Sequence, residues 1–270
     1  MATDRSSADR SGADRSSADR SGAGDPARTL ALLWGLTAEE KPGRRGPRQA
    51  RSTGEIAAAA VALADAEGVE AVTMRRVAQE LGLSPMALYT YVPGKAELLD
   101  LMLDTVYAAV PRSAPADAGW RARATAVADD NRALFRAHPW VAAVSTSRPP
   151  LGPGLMAKYE YELRALEGTG LPDVELDAAL THLLGFVQTC ARMAADERAA
   201  QQDSAMTDAQ WWQANAELLA RVFDPERHPV AARVGAAAGE AHGGAYDPDH
   251  AYAFGLARVL DGLEALIRER

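Results

Sequence analysis

Apolar positions recur at three- and four-residue spacing from residue 52 to the C-terminus, while the strict alternation that marks strands is scarce. The pattern predicts an all-α protein. Ser52-Thr-Gly-Glu55 has the form of a capping box, in which Ser52 caps amide groups and Glu55 reaches back to the cap. Ile56, Ala60, Leu63 and Ala64 then share one face, so a first helix runs to Glu67 and stops at Gly68. Thr73 caps a second helix that turns Val77, Ala78 and Leu81 inward. Gly82 supplies a tight turn. Ser84-Pro85 opens a third helix, with proline at the first helical position, where its missing N–H costs nothing. Leu88 and Val92 face its core side, and Pro93-Gly94 end it. Lys95–Val110 makes a fourth helix with Leu98, Leu99, Met102 and Val106 inward.

A Pro/Ala/Ser-rich joint covers residues 111–117. Beyond it the pattern predicts helices over Trp120–Ala137, Pro139–Thr146, Leu155–Glu167, Asp173–Gln201, Thr207–Phe223 and Asp247–Arg268. Residues 148–153 and 242–248 read as loops. Toward the N-terminus, Asp4–Ala23 repeats a pentad, Asp-Arg-Ser-Ser-Ala alternating with Asp-Arg-Ser-Gly-Ala. A period of five suits neither helix nor strand, and the repeat has almost nothing to bury, so a disordered, solvated extension is expected through residue 28. Thr29–Leu36 is a short apolar segment containing Trp34 and reads as a helical turn. Pro42-Gly43 and Gly46-Pro47 keep the following stretch extended. The expected domains are therefore a tail over 1–28, a basic arm over 29–51, a helical head over 52–110 and a larger helical body over 117–270.

The 270 residues suffice for an ample core, and no run of about 18 apolar residues suggests a membrane span. A single cysteine, Cys190, excludes an internal disulfide framework, and the N-terminus lacks a hydrophobic signal segment; both fit a cytoplasmic protein. The net charge of −8 argues mildly against nucleic acid as a partner. Its distribution argues the other way. Lys41, Arg44, Arg45, Arg48 and Arg51 follow one another with no acid between them, and acids gather from Asp173 to Asp203.

Two short helices joined by a glycine turn have the layout of a helix-turn-helix, whose second helix enters the major groove of double-stranded DNA. Here that second helix is almost uncharged. Pro85, Met86, Ala87, Tyr89, Thr90 and Tyr91 offer methyls, hydroxyls and ring edges, suited to thymine methyls and phosphates. Neutralisation of phosphate then falls to Arg75, Arg76, Lys95 and the basic arm. Lys95 also stands at a helix N-terminus, whose dipole attracts phosphate. The arm suits a neighbouring minor groove, where arginines are favoured, though an ordinary solvated linker has the same composition.

With these residues in view, Ser52–Leu103 resembles the DNA-binding domain of TetR-family transcriptional repressors. Leu88-Tyr-Thr-Tyr-Val-Pro-Gly-Lys95 followed by Glu97-Leu-Leu99 is similar to the family's Leu-Tyr-x-x-aromatic/Val-x-x-Lys-x-x-Leu-Leu pattern. The resemblance implies that Tyr89, Tyr91 and Lys95 contact phosphates, that Thr90 and Met86 face bases, and that Arg75 stands where the tetracycline-repressor branch reads a guanine. Thr73 and Ser84 are the caps that present this surface. Pro85 and Ala87 replace polar base readers of that branch, which implies a different operator.

Residues from Trp120 to Arg268 resemble the C-terminal domain of the same branch more weakly, through His138, Ser147-Arg-Pro149 and the Leu180–Glu197 helix. The resemblance implies a small organic effector and a homodimer formed by the last long helices. Leu256, Leu260, Leu263 and Ile267 form one apolar stripe and Gly255, Val259, Gly262 and Leu266 another, and a helix apolar on two faces needs two partners. Candidate effector residues are Asn131, Trp140, Ser145, Arg148, Tyr159, His182, Phe186, Thr189, Met193 and Trp211. His182, Phe186, Thr189 and Met193 share one helical face, although each residue alone also suits an ordinary core or rim. Ser145 aligns with a metal-binding histidine of tetracycline repressors and Asn131 with a phenylalanine, which argues against magnesium-tetracycline. No metal or cofactor is expected. An enzyme finds no motif here: there is no His-Glu-x-x-His, nucleophile elbow or phosphate-binding glycine loop. A helical ligand-binding protein without DNA binding is the remaining alternative.

Overall fold

A computed structural model describes residues 20–36, 51–244 and 246–270. Twelve α-helices form among them: α1 (Pro26–Leu33), α2 (Thr53–Glu67), α3 (Met74–Glu80), α4 (Pro85–Tyr89), α5 (Lys95–Ala108), α6 (Trp120–Ala137), α7 (Pro139–Ala143), α8 (Pro153–Arg164), α9 (Asp173–Ser204), α10 (Asp208–Val222), α11 (Pro229–His242) and α12 (Pro248–Arg268). The all-α expectation holds among these residues. A single 3₁₀ turn, Val69–Ala71, joins α2 to α3. No described helix is long and apolar enough to cross a membrane.

The caps form as the sequence predicts. Glu55 N donates to Ser52 Oγ at 3.1 Å while Ser52 N donates to Glu55 Oε2 at 2.7 Å, which closes the capping box of α2. Thr207 and Gln210 make the equivalent box on α10. The third predicted helix is shorter than expected: after Tyr89, Thr90 and Tyr91 continue it only as a turn. Helix α11 falls in a stretch without a predicted element; Gly235, Gly239 and a run of alanines leave it no apolar stripe by which to recognise it.

The chain divides into two compact units, residues 1–180 and 181–270. The division does not follow the 111–117 joint. Helix α5 packs against α1 and α2 on the head side and against α8 of the body, so the head and the first part of the body share one core. Every residue of α5 from Glu97 to Asp104 is buried, the acids Glu97, Asp100 and Asp104 included. At Gly154 the backbone of α8 presses against α5 so closely that a Cβ would sit 2.1 Å from the Asp104 carbonyl oxygen. The joint itself is pinned by Asp130 of α6, which accepts from Ser113 N, Ser113 Oγ and Tyr161 Oη at 3.1, 2.6 and 2.6 Å. Burial and that carboxylate push the Tyr161 phenol up to about 12, so it stays a donor.

The N-terminal expectation needs correction from Arg20 onward. Residues 20–25 lie against α5 and the 145–148 segment, and Pro26–Leu33 is a capped helix, Arg28 N donating to Asp25 Oδ1. The physical reason is twofold: Thr29, Leu32 and Leu33 give α1 a buried side, and Asp100 and Glu97 of α5 accept from Ser21, Gly22 and Asp25 just before it.

The second unit holds the rest of α9 with α10, α11 and α12. Phe186 stacks on Tyr252 with ring centroids 6.0 Å apart, and Gly255 lies against its ring edge. Tyr252, Leu256, Leu260 and Leu263 form the buried stripe of α12, while Ile267 is half-buried. Helices α10 and α11 bury no residue at all.

The carboxylates of α5 set a measurable pH dependence. Burial raises Asp100 and Asp104 above the ordinary value of 3.8, outweighing the hydrogen bonds they accept. The folded state therefore holds protons that the unfolded chain has released, so the contribution of these groups falls as pH rises from 3.8 through the raised values. Chemical denaturation across that window should show the unaltered protein losing stability with pH relative to Asp100→Asn/Asp104→Asn, which lacks both titrations. Asp104→Ala orphans the amides of Gly154 and Leu155, now 3.1 and 2.8 Å from its oxygens, and should cost about 1–3 kcal/mol in the same measurement.

Candidate nucleic-acid interface

Helices α3 and α4 are seated by their apolar residues and present their polar ones. Met74, Val77 and Ala78 of α3 and Leu88 of α4 are buried, as are Val92 and Leu98 after it. Gly82 turns the chain between them at φ +66°, where a Cβ would be strained. Thr73 Oγ1 accepts from Arg76 N and Ser84 Oγ from Ala87 N, each at 3.2 Å, so both predicted caps hold.

The outward surface collects Thr73, Arg75, Ser84, Pro85, Met86, Tyr89 and Thr90, all exposed, with Ala87, Tyr91 and Lys95 half-buried beside them. Met86 is 75% exposed beside the buried Leu88. Thr90 differs from the sequence reading in one respect. Its hydroxyl donates to the Ala87 carbonyl at 2.6 Å, so it presents its methyl and lone pairs outward and no longer offers a hydrogen.

The basic residues fare unequally. Arg75 is exposed on the first turn of α3. Arg76, expected beside it as a phosphate contact, is instead held by Glu67 at 2.6 Å and Glu80 at 3.3 Å. Arg51 folds back onto Glu55 and the Leu81 carbonyl. Arg44, Arg45 and Arg48 lie outside the described residues. Most acids of the head are engaged as well: Glu55, Glu67 and Glu80 with these arginines, Glu97, Asp100 and Asp104 in burial, and Asp65 with His138 and Trp140, while Glu70 is exposed.

The candidate effector residues separate into groups. Trp140 is buried in the core shared by head and body, and its indole N–H donates to Asp65 Oδ1 at 2.8 Å; it is a tie between α7 and α2 rather than an open wall. His138 Nδ1 lies 2.8 Å from the same carboxylate oxygen. Asn131 is buried, with its amide donating to Glu162 Oε1 at 2.6 Å, and Lys158 pairs with that same oxygen. Spacing along the chain could not reveal this Asn131–Glu162–Lys158 cluster, since Lys158 and Glu162 look like an ordinary exposed pair one turn apart. Ser145 and Arg148 meet the N-terminal segment. Tyr159 donates to Asp177 Oδ1 at 2.6 Å along an open groove with Leu163, Asp173 and Leu176.

In the second unit, Phe186 is committed to Tyr252 and Gly255, which follows from the small residue opposite it. His182, Thr189 and Met193 are exposed on the same side of α9. Trp211 is 47% exposed on α10, edge to face with Trp212. Among the described residues no three histidine, cysteine or carboxylate groups converge on a metal-sized site.

The fold and this surface define a helix-turn-helix regulator, and comparison with known proteins says which kind. Residues 56–102 match the model of bacterial regulatory proteins of the tetR family, and residues 112–267 match the tetracyclin repressor-like C-terminal domain. The transcriptional repressor DrrR1 of Streptomyces coeruleorubidus is 44% identical over 252 residues, covering 92% of this chain and 89% of that one. Among solved structures, ActR of Streptomyces coelicolor in complex with actinorhodin superposes with a TM-score of 0.67 at 27% identity, covering 80% of this chain and 96% of that one. Apo ActR gives 0.66 at 27% identity, covering 81% and 97%. The chain belongs to the TetR family and is a ligand-responsive DNA-binding transcriptional repressor, a class without enzymatic activity.

Thr73→Ala removes the cap of α3 and should lower stability by about 1 kcal/mol, read as a reduced denaturation midpoint, without changing the buried core beneath it.

Proposed function

We propose that the protein acts as a homodimer on a palindromic operator and that a small organic effector releases it. The exposed, uncharged face of α4 above the buried Leu88 carries this reading. Met86 and Thr90 read bases by methyl contact, Pro85 and Ala87 shape the approach, and Ser84 and Thr73 hold the two helices in register. Arg75 reaches a guanine or its phosphate, while Tyr89, Tyr91 and Lys95 grip the backbone. Arg44, Arg45 and Arg48 of the arm add minor-groove or phosphate contacts. A regulator that binds chromosomal DNA works in the cytoplasm, at the nucleoid.

Dimerisation through the C-terminal helices is supported by exposed apolar surface. Trp211, Trp212, Leu218, Leu219, Val222, Val230 and Val234 on α10 and α11 and Phe254 on α12 all lie open in the single chain. A run of exposed apolar side chains on successive helices is the kind of surface a second copy covers. A dimer also sets two reading helices about 34–36 Å apart, one turn of DNA.

The effector is organic, in keeping with the actinorhodin carried by ActR. Within the second unit, His182, Phe186, Thr189 and Met193 along one side of α9 are its candidate contacts. Release requires the effector to favour a conformation whose reading heads are wrongly spaced, because equal affinity for both conformations shifts nothing.

Fluorescence anisotropy with palindromes upstream of the protein's own gene tests the reading. Binding should weaken steeply with salt, and Lys95→Ala should reduce the slope of log affinity against log salt by about 1. Met86→Ala should relax sequence preference with the slope intact. Salt-insensitive or absent binding would sink the repressor reading.

A further inference from the structure

The last pentad of the N-terminal repeat, Asp19-Arg-Ser-Gly-Ala23, supplies the residues that meet α5. Ser21 is buried and its hydroxyl donates to Asp100 Oδ1 at 2.6 Å. Gly22 N donates to both oxygens of the same carboxylate at 3.1 and 3.2 Å, and Asp25 N donates to Glu97 Oε1 at 3.3 Å. On its other side the segment holds the turn that leads into α8. Ser21 N donates to the Ser145 carbonyl at 3.2 Å, and past α1 the Trp34 indole donates to the Leu151 carbonyl at 2.8 Å. Residues 20–34 therefore bond both to the helix that starts at Lys95 and to the 145–151 segment.

The seat accepts one register of the repeat. Gly22 has φ +68°, and a Cβ there would lie 2.7 Å from Arg148 Cβ and 3.0 Å from its carbonyl oxygen. Of the four pentads, those ending Ser-Ser-Ala carry Ser7 or Ser17 at this position and are excluded, whereas Gly12 and Gly22 satisfy it. The contact is thus a built site for a Ser-Gly pair, with a buried carboxylate as its anchor.

We propose that residues 20–34 form a strap that ties α5 to the 145–151 segment and holds the reading head at the spacing the palindrome requires. The inference rests on the dimeric repressor reading above and adds its positioning element. A fixed operator demands a fixed head-to-head distance, and a head free to swing pays for its confinement on binding. Ser21, Gly22 and Asp100 are positioning residues, since none belongs to the reading surface. An effector that moves the 145–151 segment pulls directly on the strap.

The test uses the full chain with the double change Ser21→Ala/Gly22→Val, and Gly12→Val as the matched change in another repeat. Operator affinity is read on the full palindrome and on a duplex holding one half-site. The strap predicts a loss of about tenfold on the palindrome for the double variant, half-site affinity within about twofold of the unaltered chain, and no effect of Gly12→Val. Amide exchange should rise across 97–104 and 145–151 in the double variant alone. Unchanged palindrome affinity in the double variant overturns the strap, as does an equal loss on the half-site, which marks damage to the head itself. If the unaltered chain fails to bind the palindrome at all, the repressor reading falls, and the strap falls with it.

Discussion

Three carboxylates buried in a helix of leucines are the constraint on which the first unit depends. Helix α5 is covered on every side between Glu97 and Asp104, and a charged group taken out of water must be met by donors or it unfolds the helix that carries it. Backbone amides meet them from two directions: Gly22 and Asp25 from the N-terminal segment, Gly154 and Leu155 from the start of α8. Backbone donors fix position more tightly than flexible side chains can. The acids thus convert a greasy contact, which tolerates sliding, into a defined register between α5 and its neighbours.

That register reaches the outward surface of α4 by a continuous core. Lys95 opens α5, and Leu98 and Leu99 lie in the same core as Leu88 and Val92. A second tie runs through Asp65, near the C-terminal end of α2, which accepts from Trp140 and His138 at the start of α7. Head and first part of the body are in consequence one compact unit, and a change near 145–151 has a short physical route to α4. The surface at the end of that route is unusual in its chemistry. With Arg76 and Arg51 paired to acids and Thr90 donating inward, the outward face of α4 offers methyl groups and ring edges rather than cations.

The second unit is organised by a different principle. Its α12 buries one stripe, with Gly255 letting the Phe186 ring approach, while α10 and α11 leave tryptophans and aliphatics open. A small-residue helix such as α11 contributes little core of its own. Its stability is tied to whatever covers the apolar surface around it.

Much of this molecule was legible in the order of its residues. Caps, glycine turns and three-four spacing are local, so Ser52–Glu55, Thr73, Ser84-Pro85 and the inward Leu88 and Val92 declare their roles without a partner. The family resemblance of the head rests on the same local signals. Partnerships between distant residues were decided only by the tertiary structure. Asp100 and Ser21 are 79 positions apart, Asn131 and Glu162 are 31 apart, and nothing in their local sequence distinguishes a buried anchor from a solvated side chain. The pentad repeat looked unable to bury anything because its own composition is polar; a carboxylate on α5 supplies what it binds. Local order determines which helices form and which faces they offer, whereas burial of charge depends on what the rest of the chain brings to meet it.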